Sequence, residues 1–130
     1  MASTTYTTQS AFDISAAHLL TQNRQSLRSE GDRPPSCAYR GDDRCMCAIG
    51  VLIPDDIYRP EMEGLRFSVL HYRFNTIRTL FDGVDIWVLA QLQGIHDGTN
   101  VKDWAADLLH LAERHNLDDS VITDAPAGTL

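Results

Sequence analysis

Three cysteines stand within eleven residues, at Cys37, Cys45 and Cys47. A thiol can serve as nucleophile, redox partner or soft metal ligand. Their C-x7-C-x-C spacing lacks the two-to-four-residue gap usual for zinc. In the simplest hairpin register Arg40 faces Cys45 and Ala38 faces Cys47, which turns Cys37 to the opposite face. A disulfide from Cys37 then needs a bulge to flip it. Small buried thiols in a core are therefore the favoured reading. A zinc module built on Cys45, Cys47 and a histidine is the weaker alternative, and no cofactor is expected.

Four acids follow within nine residues: Asp55, Asp56, Glu61 and Glu63. Paired carboxylates can move protons or hold a hard cation. Neither a calcium-loop pattern nor an accompanying nucleophile is present. A solvated acidic loop is the simpler reading, and binding a basic partner surface is the simplest task for it. Beside it, Tyr39 and Arg40 pair an aromatic ring with a planar donor fork that suits an anion or a carboxylate. The competing reading pairs Arg40 with Asp42, Asp43, Asp55 or Asp56. The candidate partner-binding set is thus Tyr39, Arg40, Asp42, Asp43, Asp55, Asp56, Glu61 and Glu63.

His96 and Asp97 are adjacent near a helix end. Neighbouring helical residues point apart, so the histidine reads as a cap or core-edge residue favoured by the helix dipole. His18, His71, His110 and His115 have no partner legible in sequence, and Trp87 and Trp104 read as packing residues. The chain contains no G-x-S-x-G, H-E-x-x-H, phosphate loop or dinucleotide fingerprint. No catalytic residue is assigned, and a non-enzymatic role is expected.

The elements that must position these residues follow from periodicity. Phe12, Ala16, Leu19, Leu20 and Leu27 recur at helical spacing and predict a helix over 13–27. Ser29 to Ser36 carries a glycine and two prolines that bar a continuing helix. The stretch 37–53 reads as a β-hairpin turning at Gly41–Arg44. Its second strand, Cys45–Ile53, is apolar on both faces and should be covered on both. Helices are expected over 65–80 and 84–96, with a last one capped by Asn100 and ending at Asn116 and Leu117 in a left-handed cap. The fold class is α+β: a buried hairpin packed among about four helices. Residues 1–10 read as disordered, 11–117 as one domain and 118–130 as a tail.

At 130 residues and 43% hydrophobic content the chain can bury one core without disulfide or metal. The formal charge of −7 disfavours direct nucleic-acid binding. No 18-residue apolar run reads as a membrane span and no signal peptide is evident. Free thiols then point to a cytoplasmic setting.

One resemblance adds to this. Cys37-x-Tyr39-Arg40-Gly41, Cys45/Cys47-Ala48-Ile49-Gly50-x-Leu52-Ile53-Pro54-Asp55, Tyr58 and Met62-Glu63-Gly64 resemble small proteins encoded by bacteriophages, prophages and plasmids of proteobacteria. Leu92-Gln93-x-Ile95-His96-Asp97, Trp104 and His115-Asn116-Leu117 are similar to their second half. Arg44-Cys45-Met46-Cys47 departs from the single cysteine expected there. The resemblance implies an accessory factor in a bacterial host cell, such as an anti-CRISPR inhibitor of host defence. Its partner would be a host protein or ribonucleoprotein complex with a basic surface. The alternative reading is a nucleotide sponge or small enzyme in which Tyr39 stacks on a base and Arg40 holds a phosphate.

Overall fold

A computed structural model describes residues 6–123. The fold is α+β: a two-stranded antiparallel hairpin packed among helices. The first helix, α1 (Thr8–Gln22), begins five residues before the periodicity suggests. Thr7 and Ser10 form a capping box, each side chain bonded to the other's backbone N–H at 3.0 and 2.9 Å. Residues 6–10 are therefore part of the domain. The Tyr6 ring stacks on Phe81 at 5.9 Å, and its hydroxyl donates to the Leu52 carbonyl at 2.8 Å. Residues 1–5, expected to be disordered, and 124–130, expected to belong to a tail, lie outside the described residues.

Asn23 ends α1 in the left-handed conformation, φ 55°. Leu27 then opens a strand instead of closing the helix. The hairpin is β1 (Leu27–Glu30) with β2 (Arg33–Cys37), in register Leu27↔Cys37 and Arg28↔Ser36. Gly31, at φ 61°, supplies the turn. Pro34 and Pro35 sit inside β2, which the ribbon tolerates because one strand edge is open and the pairing is irregular between Arg28 and Glu30 opposite them.

The hairpin expected over 37–53 is therefore displaced to 27–37. Between Cys37 and Ile53 the only pairing is the isolated bridge Arg40↔Met46, one residue out from the expected register. Asp43 and Arg44 both adopt positive φ in a one-turn 3-10 helix, and that tight turn resets the pairing. Cys47–Ile53 is not a strand. It folds into tight turns, with a 3-10 turn at Gly50–Leu52. Gly50 explains the choice: a Cβ there would lie 2.0 Å from the Tyr39 carbonyl oxygen. A short apolar run has no periodicity that separates strand from buried turn.

The burial expected of this run is present. Cys45, Cys47, Ala48, Ile49, Gly50, Leu52 and Ile53 are buried. The segment passes between two cores. Cys47, Ile49, Leu52 and Ile53 pack in the first with Tyr39, Met62 and Phe81. Ala48 belongs to the second with Phe12, Leu19, Leu92 and Trp104.

The helix expected over 65–80 is two helices, α2 (Phe67–Arg73) and α3 (Asn75–Leu80), broken at an extended Phe74. The helix α4 (Ile86–Gly98) lies between the cores, giving Leu89 to the first and Val88, Leu92 and Ile95 to the second. Its remaining face, Trp87, Ala90, Gly94 and Asp97, is exposed. Trp87 is 69% exposed and so is no packing residue, whereas Trp104 is fully buried.

The helix α5 (Trp104–Arg114) ends as the sequence indicates. Asn116 has φ 55°, and the Leu117 N–H reaches back to the Ala112 carbonyl at 2.8 Å. The domain continues past 117. The Gln9 side-chain amide clamps the Asp118 backbone, donating to its carbonyl and accepting from its N–H, and α6 (Ser120–Thr123) buries Ile122. No helix among the described residues is long and apolar enough to cross a membrane.

Candidate functional site

The residues singled out in sequence separate into two groups. Tyr39, Arg40 and Glu63 are engaged internally. Tyr39 is 5% exposed and its hydroxyl donates to the Leu65 carbonyl, so its ring has no free face for a base. Arg40 donates to Asp55 at 2.6 Å and to the Ile53 carbonyl at 2.7 Å, and its guanidinium lies 4.5 Å from the Tyr58 ring centroid. The Glu63 carboxylate accepts from the Tyr39 N–H at 2.9 Å, the Arg40 N–H at 3.0 Å and the Tyr58 hydroxyl at 2.6 Å. Glu63 is a staple that ties the loop after Pro54 to the segment after β2. Tyr39 and Glu63 thus leave the candidate binding surface.

The second group stays outside. Asp42, Asp43, Asp55, Asp56 and Glu61 are exposed, and the Asp55 side chain is 94% so. Asp42 caps the Ser29 N–H at 3.0 Å and Asp43 lies 3.6 Å from Arg24. The turns Asp42–Asp43 and Asp55–Asp56 flank the Arg40↔Met46 bridge, because Arg40 carries the bridge in its backbone and Asp55 on its side chain.

The cysteines also separate. The Cys45 sulfur accepts from the Arg24 Nε at 3.1 Å and the Cys47 sulfur from the Gly50 N–H at 3.3 Å. Burial pushes the Cys47 thiol up to about 12. Among the described residues neither belongs to a cluster with metal-ligand spacing. The Cys45–Cys47 metal alternative is replaced by another grouping. Cys37, His96 and Asp97 place a sulfur, a ring nitrogen and a carboxylate oxygen within 4.8 Å of one another.

His96 and Asp97 meet side chain to side chain although neighbouring helical residues point apart. Nδ1 is the ring nitrogen nearer the backbone, and a short carboxylate one residue on reaches it at 2.6 Å. The other nitrogen, Nε2, accepts the Ser26 backbone N–H at 2.8 Å. The ring is buried and stacks on Trp104 at 5.7 Å. Nε2 must therefore carry the lone pair and Nδ1 the proton, which it donates to Asp97. A metal on Nδ1 would force a proton onto Nε2, against the Ser26 N–H. His96 is thus a neutral bridge from the end of α4 to the start of β1 and does not suit a ligand role.

Asp97 Oδ1 accepts a second hydrogen bond, from Gln93 Nε2 at 2.9 Å. Burial pushes the carboxyl up, but the hydrogen bonds from His96 and Gln93 and the facing Cys37 thiol outweigh it. Asp97 is held below its ordinary range. Cys37 shows the converse: burial first, then the Asp97 charge, push its thiol up to about 11. A thiol so placed stays protonated at neutral pH and is a poor nucleophile. The cluster supplies a fixed carboxylate anion rather than a thiolate.

That carboxylate borders a cavity of about 540 Å³ between α4 and the segments 36–39 and 64–68. Ala38, Leu65, Phe67 and Ala90 line it with apolar surface, and Gln93 and Asp97 stand on its α4 side. Ala90 and Gly94 also border a second cavity of about 580 Å³ toward α5. Cys37 and Asp97 are sixty positions apart in sequence, so no local pattern joins them.

No family model, no curated protein and no solved structure matches this chain.

Proposed function

We propose that this protein is a non-enzymatic accessory factor, of the kind phages and mobile elements encode, that binds a basic protein surface and blocks it. The observation that carries the reading is the set of exposed acids Asp42, Asp43, Asp55, Asp56 and Glu61 on three turns, the first two joined through Arg40. With a net charge of −7, such an acidic edge competes for lysines and arginines that otherwise hold phosphate. The expected target is a host nucleic-acid-handling defence complex, and the anti-CRISPR-like context comes from the resemblance of the 37–64 motif. The cavity thiol, held protonated beside Asp97, supports a binding role over thiolate catalysis.

Partner capture from a host lysate, followed by salt and nucleic-acid competition, tests the reading. Capture that weakens steeply with salt, yields to nucleic acid and is lost in the Asp55→Ala, Glu61→Ala double variant is the expected result. Capture indifferent to salt and to the double variant overturns it.

A further inference from the structure

We infer that the cavity beside α4 is a receptor for one cationic side chain, a lysine or arginine presented by a protein partner, with Asp97 as its anchor. The inference rests on the reading that the chain binds a basic protein, and names where one basic residue of that partner enters.

Three observations converge. The Asp97 carboxylate is fixed before any ligand arrives. Oδ1 takes hydrogen bonds from His96 and Gln93, the Cys37 sulfur lies within 4.8 Å of the carboxylate, and the side chain is still 43% exposed. A carboxylate has about four acceptor positions, so charge and hydrogen-bonding capacity remain for a donor. The cavity also has the right mixed character. A lysine or arginine carries a charged head on an apolar stem, and Ala38, Leu65 and Phe67 offer apolar wall to the stem.

The floor of the cavity includes Gly94. Gly94 lies within α4, where glycine weakens a helix relative to alanine. Nothing in the chain requires it, because a Cβ at 94 would meet no atom within 4 Å and the backbone is not left-handed. The missing methyl leaves the cavity floor open above Asp97's own helix. One group opposes a cation: Arg66, which also borders the cavity. Removing it should tighten binding.

The test is an NMR titration of the full chain with end-blocked Gly-Lys-Gly and Gly-Arg-Gly, using Gly-norleucine-Gly as the neutral isostere. The expected result is saturable shifts at Ala90, Gly94 and Asp97 with the cationic peptides only; the two cationic arms decide between ammonium and guanidinium. Asp97→Asn, which keeps an oxygen for His96 and Gln93, should weaken binding about tenfold or more. Gly94→Ala should weaken binding while raising the melting temperature, which separates occlusion from misfolding. Equal binding of the norleucine peptide, unchanged affinity in Asp97→Asn, or no saturable shift overturns the inference. Peptide failure with partner capture intact removes this cavity alone. Capture by the native chain that is indifferent to salt and to the Asp55→Ala, Glu61→Ala double variant, with peptide binding intact, removes the acidic-edge reading alone.

Discussion

Glu63 and Asp97 are the same chemistry placed to opposite ends. Each carboxylate collects several donors, Glu63 from the distant Tyr39 and Arg40 backbone and the nearby Tyr58 hydroxyl, Asp97 from His96 and Gln93 of its own helix. Glu63 uses both oxygens, two of its donors are backbone N–H groups, and it closes a loop onto the first core. Asp97 takes both of its donors on one oxygen, stays 43% exposed and borders a cavity. A carboxylate whose acceptors are filled is a structural tie; one fixed on a single side is a site. The local donor count, and not the residue type, separates them.

The largest effect expected lies under the closed side. Ile49 is fully buried in the core that Glu63's loop covers. Ile49→Asp places an unpaired charge there and should abolish cooperative unfolding by circular dichroism, a loss above about 4 kcal/mol. A folded variant would mean the turn at 47–53 can open to water.

Glu63→Ala comes next. It strands two backbone donors and a tyrosine hydroxyl, which should cost about 2–4 kcal/mol in urea denaturation. Loss of less than about 1 kcal/mol would dissolve the contrast with Asp97, since Glu63 would then be a surface acid.

The thiols extend the comparison to pH. Cys47, in the closed core, and Cys37, beside the open carboxylate, are raised from an ordinary 9.0 to about 12 and about 11. Both ionise later folded than unfolded, so stability should be level below pH 9 and fall as pH rises through 11 to 12. A thiol reagent at neutral pH should label Cys37 slowly and Cys47 only on unfolding. Rapid labelling of Cys37 at pH 7 would show that Asp97 does not hold the thiol protonated.

The smallest stability change belongs to the acidic edge. Asp55→Ala with Glu61→Ala removes exposed charge and one exposed ion pair, and should shift stability by no more than about 1 kcal/mol. The same variant should lose the partner. A large loss of stability would place the Arg40–Asp55 pair among the structural ties with Glu63.

What the sequence determined by itself is what depends on neighbours within a few positions. The α+β class, the helical stripes of α1, α4 and α5, and the left-handed cap at Asn116 with Leu117 follow from periodicity and local hydrogen bonding. The burial of 45–53 follows from its lack of charge. Tertiary structure decided the rest. Gly50 had to meet the Tyr39 backbone before Cys47–Ile53 became turns, and Phe74, with no proline or glycine to announce it, broke a helix to fit the first core. The two prolines at 34 and 35 read as breakers but fit a two-stranded ribbon with an open edge. Glu63 read as one acid among four because its two backbone donors lie more than twenty residues away in the chain. Asp97 became the candidate anchor only when α4, pinned through His96 to Ser26, brought it against Cys37 and the cavity wall. Spacing can propose residues for a site, but the filling of each lone pair is a property of the folded chain.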